Sequence, residues 1–286
     1  MLKVRKLNER RGWAWTIVVA IIKPLLVTTT KHEWIDGEKI PASGGCVVAM
    51  NHISHIDPLT LGWLLYEHGR LVRYLAKDAL FEAPLIKYVV RDARQIPVSR
   101  LTSDAAKAFE AACEAVRDGA CVGVYPEGTI TKDPSGWPMR GKTGAARIAL
   151  ETGCPVIPIG QWGAQEILPA YSLRYHAIPR RTAHYKVGDP VDLSDLIGQP
   201  ITNEVLQEAT ERIMAAITDL VADLRHEPPP AERFDPRAAG VRQIGNPRKN
   251  RPDKTRPDKS RPDKDGPDKD RSGSVGPDED KKRRRA

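Results

Sequence analysis

Two side chains with complementary acid–base chemistry, His52 and Asp57, stand five residues apart in Asn51-His52-Ile53-Ser54-His55-Ile56-Asp57-Pro58. An imidazole can take and return a proton near neutral pH. A carboxylate beside it fixes the tautomer and supports the imidazolium that forms. The apolar run at 46–50 reads as a buried strand leading into the pair. Pro58 opens a helically spaced segment at 59–68, and proline suits a first helical turn. His52 and Asp57 thus fall on a strand-to-helix crossing, where α/β folds commonly carry chemistry. Spacing alone is a weak motif. His184 and Asp189 repeat it in a stretch that reads as a strand running into a Gly-Asp turn. Asn51 reads as a cap or brace of the turn. His55 is a rival base or, with His52 and Asp57, a metal ligand; without a further ligand cluster no metal is expected.

The elements that must position this pair alternate along the chain. Strands are expected at 46–50, 72–76, 94–98, 121–125, 155–160 and 184–187, and helices at 59–68, 83–91, 103–117, 143–152 and 203–225. Such alternation predicts an α/β fold, a mainly parallel central sheet flanked by helices. The domain is expected over 30–226. Before it, residues 1–29 join a basic start to an apolar run with Trp13 and Trp15, interrupted by Lys23-Pro24. That run is short for a span, and no small-x-small cleavage site follows. Its composition suits a helix lying on an anionic membrane surface, with a core-packed first helix as the alternative.

From Pro228 to Ala286 there are 18 Lys+Arg against 11 Asp+Glu, which leaves 27 against 26 in the first 227 residues. The basic character therefore belongs to 227–286, where a Pro-Asp-Lys unit recurs every five residues from 251 to 269. That stretch has little to bury and is expected to be a disordered tail. Nucleic acid is not an expected partner. Four widely spaced cysteines, three of them in apolar runs, read as reduced buried thiols.

Three further stretches bear on the chemistry. Gln95-Ile96-Pro97-Val98-Ser99-Arg100 ends a strand with a cation, Tyr125-Pro126-Glu127-Gly128-Thr129 turns at Gly128 after another, and 154–160 is a third strand. In a parallel sheet His52, Arg100 and Glu127 would share one edge, where open α/β sheets bind ligands. A base, a guanidinium and a glycine turn at one mouth suit a hydroxyl acceptor bearing a phosphate.

The order Asn-His-x4-Asp, Ile-Pro-Val-x-Arg, Pro-Glu-Gly-Thr and Pro-Val-Ile-Pro, over about residues 45–165, resembles the glycerophospholipid acyltransferase family, typified by lysophosphatidic acid acyltransferase. The resemblance implies that family's α/β fold and transfer of an acyl chain from acyl-CoA or acyl carrier protein to the free hydroxyl of lysophosphatidic acid, making phosphatidic acid in phospholipid biosynthesis. No cofactor beyond the thioester donor is implied. On this basis His52 is the base and Asp57 orients it. Arg100 grips the acceptor phosphate, Glu127, Gly128 and Thr129 shape the acceptor pocket, and Lys142 adds positive charge. The expected partners are a lysophospholipid acceptor, the acyl donor and an anionic membrane. The expected location is the cytoplasmic face of that membrane, peripheral or monotopic. The family commonly carries Arg after Glu-Gly-Thr, where this chain has Ile130; Lys132 or Arg140 is the expected substitute.

Two alternatives stay open. One is a different acceptor, another lysophospholipid or a glycolipid. The other is nucleotide binding, because Gly136-x4-Gly141-Lys142-Thr143 fits the phosphate-loop pattern, although the nearest strand ends ten residues earlier.

Overall fold

The computed structural model describes residues 5–7, 9–98 and 104–241. Its strands are β1 (Thr30–Ile35), β2 (Cys46–Met50), β3 (Val72–Lys77), β4 (Ile96–Val98), β5 (Cys121–Val124), β6 (Val156–Trp162) and β7 (Arg181–Val187). Its helices are α1 (Trp13–Thr29), α2 (Asp57–Glu67), α3 (Asp78–Glu82), α4 (Ile86–Asp92), α5 (Asp104–Arg117), α6 (Gly144–Thr152), α7 (Ala164–Ile167) and α8 (Asn203–Arg225). The seven strands form one sheet in the order β1-β7-β6-β2-β5-β3-β4. From β6 to β4 all neighbours are parallel, β7 runs antiparallel to β6, and β1 follows β7 in parallel. The expected mainly parallel α/β fold is what the chain adopts.

Strand β2 lies at the centre, between β6 and β5, and is buried along its whole length. Its side chains alternate between two cores. Val47 and Ala49 face α5, α6 and α8, whereas Cys46, Val48 and Met50 face α2 and the buried edge of α1. A strand covered on both faces reads as an unbroken apolar run, which is why 46–50 is legible. Gly160 on β6 lets α8 lie close. A Cβ there would come within 2.6 Å of the Leu220 Cβ and 2.9 Å of the Val221 amide nitrogen.

Sequence reasoning misses β1 and misjudges one helix. In β1 only Thr30 is fully buried, and Lys31 and Glu33 interrupt the apolar signal of this edge strand. The helix expected at 83–91 is instead α3 and α4, separated at Pro84-Leu85. Leu85 sits at φ +66°, a backbone no helix continues through.

Past α8 the chain does not leave the domain at Pro228. The Arg140 amide donates to the Phe234 carbonyl, the Arg140 guanidinium pairs with Asp235, and Arg233 pairs with Glu211. Composition marks the proline run as the end of the helix but does not register these returning contacts. The repeats and the closing basic run, Lys281-Lys282-Arg283-Arg284-Arg285, lie outside the described residues.

Among the described residues no helix is long and apolar enough to cross a membrane. Helix α1 packs by Ala14, Trp15 and Leu26, while Trp13, Ile17, Ile21 and Leu25, four residues apart, stay exposed along one stripe. The Ala14 amide donates to Asp92 and Lys23 pairs with Glu67, so the helix is fastened to α4 and α2.

Arg70 joins the segments beneath the sheet. Its guanidinium is 1% exposed, pairs with Glu9 at 2.9 Å and donates to the carbonyls of Pro41, Gly44 and Gly119. An Arg70→Ala variant should lose about 3 kcal/mol of stability or more, because the carbonyls of Pro41, Gly44 and Gly119 lose their donor. Urea unfolding measures this directly, and a change below 1 kcal/mol would remove the knot from the account.

Candidate active site

The chain leaves β2 at Met50 and enters α2 at Asp57, and the six residues between them form a tight turn at the carboxyl end of the parallel strands. Asn51 fixes the start of this turn. Its side-chain oxygen accepts the Gln161 amide at 2.8 Å, its Nδ2 donates to the Gln161 carbonyl at 3.1 Å, and Gln161 Nε2 donates to the Asn51 carbonyl at 2.9 Å. This side-chain bridge prolongs the β2–β6 pairing by one step.

Asp57, fully buried, reaches back from the first turn of α2. Its Oδ2 accepts the His52 Nδ1–H at 2.7 Å and the amides of Ile53 and Ser54 at 2.8 and 2.9 Å. The N-terminal end of a helix also favours a carboxylate. With Nδ1–H held by Asp57, Nε2 is the nitrogen of His52 that presents a lone pair. The His52 side chain is 16% exposed, and its ring stacks on Tyr125 at 4.4 Å. Tyr125 in turn stacks on Tyr74 at 6.2 Å. Burial pushes both phenols well above their usual range, so they stay protonated and serve as a rigid floor beneath the imidazole.

Glu127 follows β5 on the neighbouring strand and is only 2% exposed. Oε1 accepts the His52 amide at 2.8 Å and Oε2 accepts the Met139 amide at 2.9 Å. The Thr131 amide completes the clamp by donating to the His52 carbonyl at 2.7 Å. Burial pushes the Glu127 carboxyl up to about 8, against the downward pull of the Met139 and His52 amides. Such a group is placed to hold the histidine turn, which differs from the pocket-lining role implied by the family resemblance.

The other expected site residues fall as follows. Gly128 lies at φ +70° beneath Lys142, whose Nζ would stand 2.7 Å from any Cβ at that position. The Thr129 hydroxyl meets Tyr171. The structure therefore joins His52, Asp57 and Glu127 in one hydrogen-bonded cluster, with Gly128, Thr129 and Lys142 adjoining Glu127. Arg100 lies outside the described residues. Ile130 is 3% exposed and faces the interior, so an arginine there would be buried rather than presented to a ligand. Arg140 is paired with Asp235, and Lys132 is buried. His55 points out to solvent and meets the edge of Tyr171. His184 and Asp189, which share the five-residue spacing, separate: His184 binds Glu33 and Asp189 binds Lys39.

The phosphate-loop reading does not survive the backbone. In 136–142 five of the amides that would cradle a phosphate are already engaged. Those of Gly136 and Trp137 bind Asp133, Met139 binds Glu127, Arg140 binds Phe234, and Lys142 binds the Pro126 carbonyl. Pro138 has none to offer. No strand leads directly into the segment, since β5 ends at Val124.

Sequence reasoning passed over two supports. Tyr125 is recognisable only from its stacking on His52. Arg225, at the end of α8, is sandwiched between Trp137 and Trp162 at 4.0 and 4.2 Å and donates to the Ser135 carbonyl. It fixes the loop that delivers the Met139 amide to Glu127. A cation between two indoles carries no local sequence signature.

A histidine–carboxylate pair on this turn, above a mainly parallel sheet, defines an acyltransferase-type α/β domain, and residues 33–162 match the family described as Acyltransferase. Over this stretch the chain is similar to glycerophospholipid acyltransferases. A chloroplastic 1-acyl-sn-glycerol-3-phosphate acyltransferase of Brassica napus is 34% identical over 47% of this chain and 38% of its own length. The 1-acyl-sn-glycerol-3-phosphate acyltransferase of Bacillus subtilis is 26% identical over 64% of this chain and 84% of its own. The crystal structure of the 1-acyl-sn-glycerophosphate acyltransferase PlsC from Thermotoga maritima shares the fold. Its TM-score is 0.56 at 22% identity, over 75% of this chain and 81% of that one. The chain thus spans well under half of the Brassica relative.

Proposed function

We propose that this protein transfers an acyl chain from acyl-CoA or acyl carrier protein to the free hydroxyl of lysophosphatidic acid, forming phosphatidic acid. The observation that carries the reading is the 2.7 Å His52 Nδ1–Asp57 Oδ2 bond on a turn where the imidazole stays partly exposed. It is supported by two relatives named for 1-acyl-sn-glycerol-3-phosphate acylation.

The acceptor hydroxyl gives its proton to His52 Nε2 as its oxygen attacks the thioester carbonyl. The tetrahedral adduct then collapses with cleavage of the carbon–sulfur bond. The leaving thiolate takes the proton back from the imidazolium. Asp57 holds the tautomer throughout and stabilises the charge on the ring. No acyl-enzyme forms, and the thioester itself supplies the activation, so the step needs no cofactor. Arg100 and Lys142 are assigned to the acceptor phosphate, with Gly128 and Thr129 at the wall of its pocket. Glu127 is assigned to positioning. The exposed α1 stripe rests on the cytoplasmic face of an anionic membrane.

Competition among acceptors tests the substrate. With lysophosphatidic acid, lysophosphatidylcholine, lysophosphatidylethanolamine and a glycolipid mixed at equal concentration, phosphatidic acid should dominate the products by mass. Lys142→Ala should raise KM for lysophosphatidic acid about tenfold and leave nucleotide binding absent, as in wild type. Dominance of another product would transfer the assignment to that acceptor, where the buried Ile130 would be in keeping.

A further inference from the structure

Between α7 and β7 the chain runs as an irregular strap at 168–180 with fixed ends. At the catalytic end the Ser54 hydroxyl donates to the Leu168 carbonyl at 2.6 Å, and the Tyr171 hydroxyl donates to the Ile130 carbonyl at 3.0 Å. At the other end the strap is bound to the last turn of α1. Arg180 Nη2 donates to the carbonyls of Val27 and Thr30, both at 2.6 Å, and the Tyr175 and Thr29 hydroxyls meet at 2.5 Å. Between these anchors Leu173 and Ile178 are 96% and 92% exposed, more open than any other large apolar side chain named among the described residues. Fully solvated leucine and isoleucine on a segment held at both ends are not explained by packing.

The geometry points to residues 170–180 as a second membrane-insertion element, with Leu173 and Ile178 entering the lipid beside the α1 stripe and Arg174 meeting anionic headgroups. This rests on the proposed reading of a peripheral membrane enzyme. Two features select a bilayer over a second copy of the chain. Residues 169–181 carry Arg174, Arg180 and Arg181 and no acidic residue, so a two-fold contact would set cations against cations. The strap is also fastened to the last turn of α1, two residues beyond Leu25 of the exposed apolar stripe, by the Arg180 bond to the Val27 carbonyl. An element that touches lipid at one end and the His52 turn at the other would place the acceptor's exit from the bilayer at the catalytic mouth.

The test compares the full-length wild type with a Leu173→Ser/Ile178→Ser variant, using sedimentation with vesicles of phosphatidylcholine and phosphatidylglycerol. Partitioning should fall about tenfold or more in the variant, with an unchanged melting temperature because both side chains are already in water. Thiol release with vesicle-embedded lysophosphatidic acid should fall in step. Release with a short-chain, monomeric lysophosphatidic acid should be retained. Arg174→Glu should weaken binding to the anionic vesicles and leave binding to pure phosphatidylcholine unaltered. Unchanged partitioning of the double variant would overturn the inference, as would a wild-type dimer that the variant dissociates. If the wild type released no thiol with any acceptor, the proposed reaction would fail, while the partitioning result would still decide the insertion element.

Discussion

Replacing His52 with alanine is expected to lower turnover by about 10²–10⁴-fold, the usual contribution of a positioned general base. The protein should still fold. The imidazole is partly exposed, and the amides of Ile53 and Ser54 still hold Asp57 Oδ2 after the ring is gone. The effect should fall on kcat far more than on KM, because proton removal belongs to the transition state. Asp57→Asn should be nearly as severe. Oδ2 of Asp57 accepts three N–H donors, and an amide turned to accept from Ile53 and Ser54 can no longer set the histidine tautomer by charge. A His52→Ala enzyme within threefold of wild type would place the base elsewhere, with His55 the next residue to replace.

Glu127→Ala is expected to cost both stability and rate, although the side chain touches no substrate in this account. Two buried amides, those of His52 and Met139, would lose their acceptors at about 1–3 kcal/mol each, giving a loss of about 2–6 kcal/mol. Freed from one side, the histidine turn should drift, and a displacement of about 1 Å can lower rate roughly a hundredfold. Glu127→Gln should lie between. One end of an amide accepts, but the other presents N–H to an N–H donor.

The same residue links stability to pH. Its folded carboxyl stands at about 8 against an ordinary 4.5, so its contribution is complete below about 4.5. As pH rises the unfolded chain loses this proton first, and stability falls until about pH 8, beyond which it is level. Glu127→Gln cannot ionise, so its deficit relative to wild type should narrow between pH 4.5 and 8. A deficit independent of pH, measured by thermal unfolding, would mean that the carboxyl is not held neutral in the fold.

The parts of this site that sequence could reveal are those in which one segment does the whole job. His52 and Asp57 lie within a single strand–turn–helix, with a five-residue apolar run before them and a proline just after. That local grammar forces the pair together. Glu127 shows the limit. Its residue type and place after β5 are readable, but its partners are backbone amides of His52 and Met139, and backbone groups are the same in every sequence. The inward rotation of Ile130 and the seat of Arg225 between two indoles depend on a loop whose path is set by α8. Strand β1 was hidden for a different reason. It pairs along one side only, with β7, and its exposed positions carry charge. The parallel sheet was legible because buried strands and amphipathic helices alternate without long interruptions. By contrast, the return of 233–235 to Arg140 follows a proline run that composition assigns to a tail.

Thiol release from long-chain acyl-CoA, measured with and without lysophosphatidic acid, decides whether the acyl chain passes straight to a hydroxyl activated by His52. Release should require the acceptor, with one thiol appearing for each phosphatidic acid formed. Equal release without acceptor would make the protein a thioesterase and contradict the account.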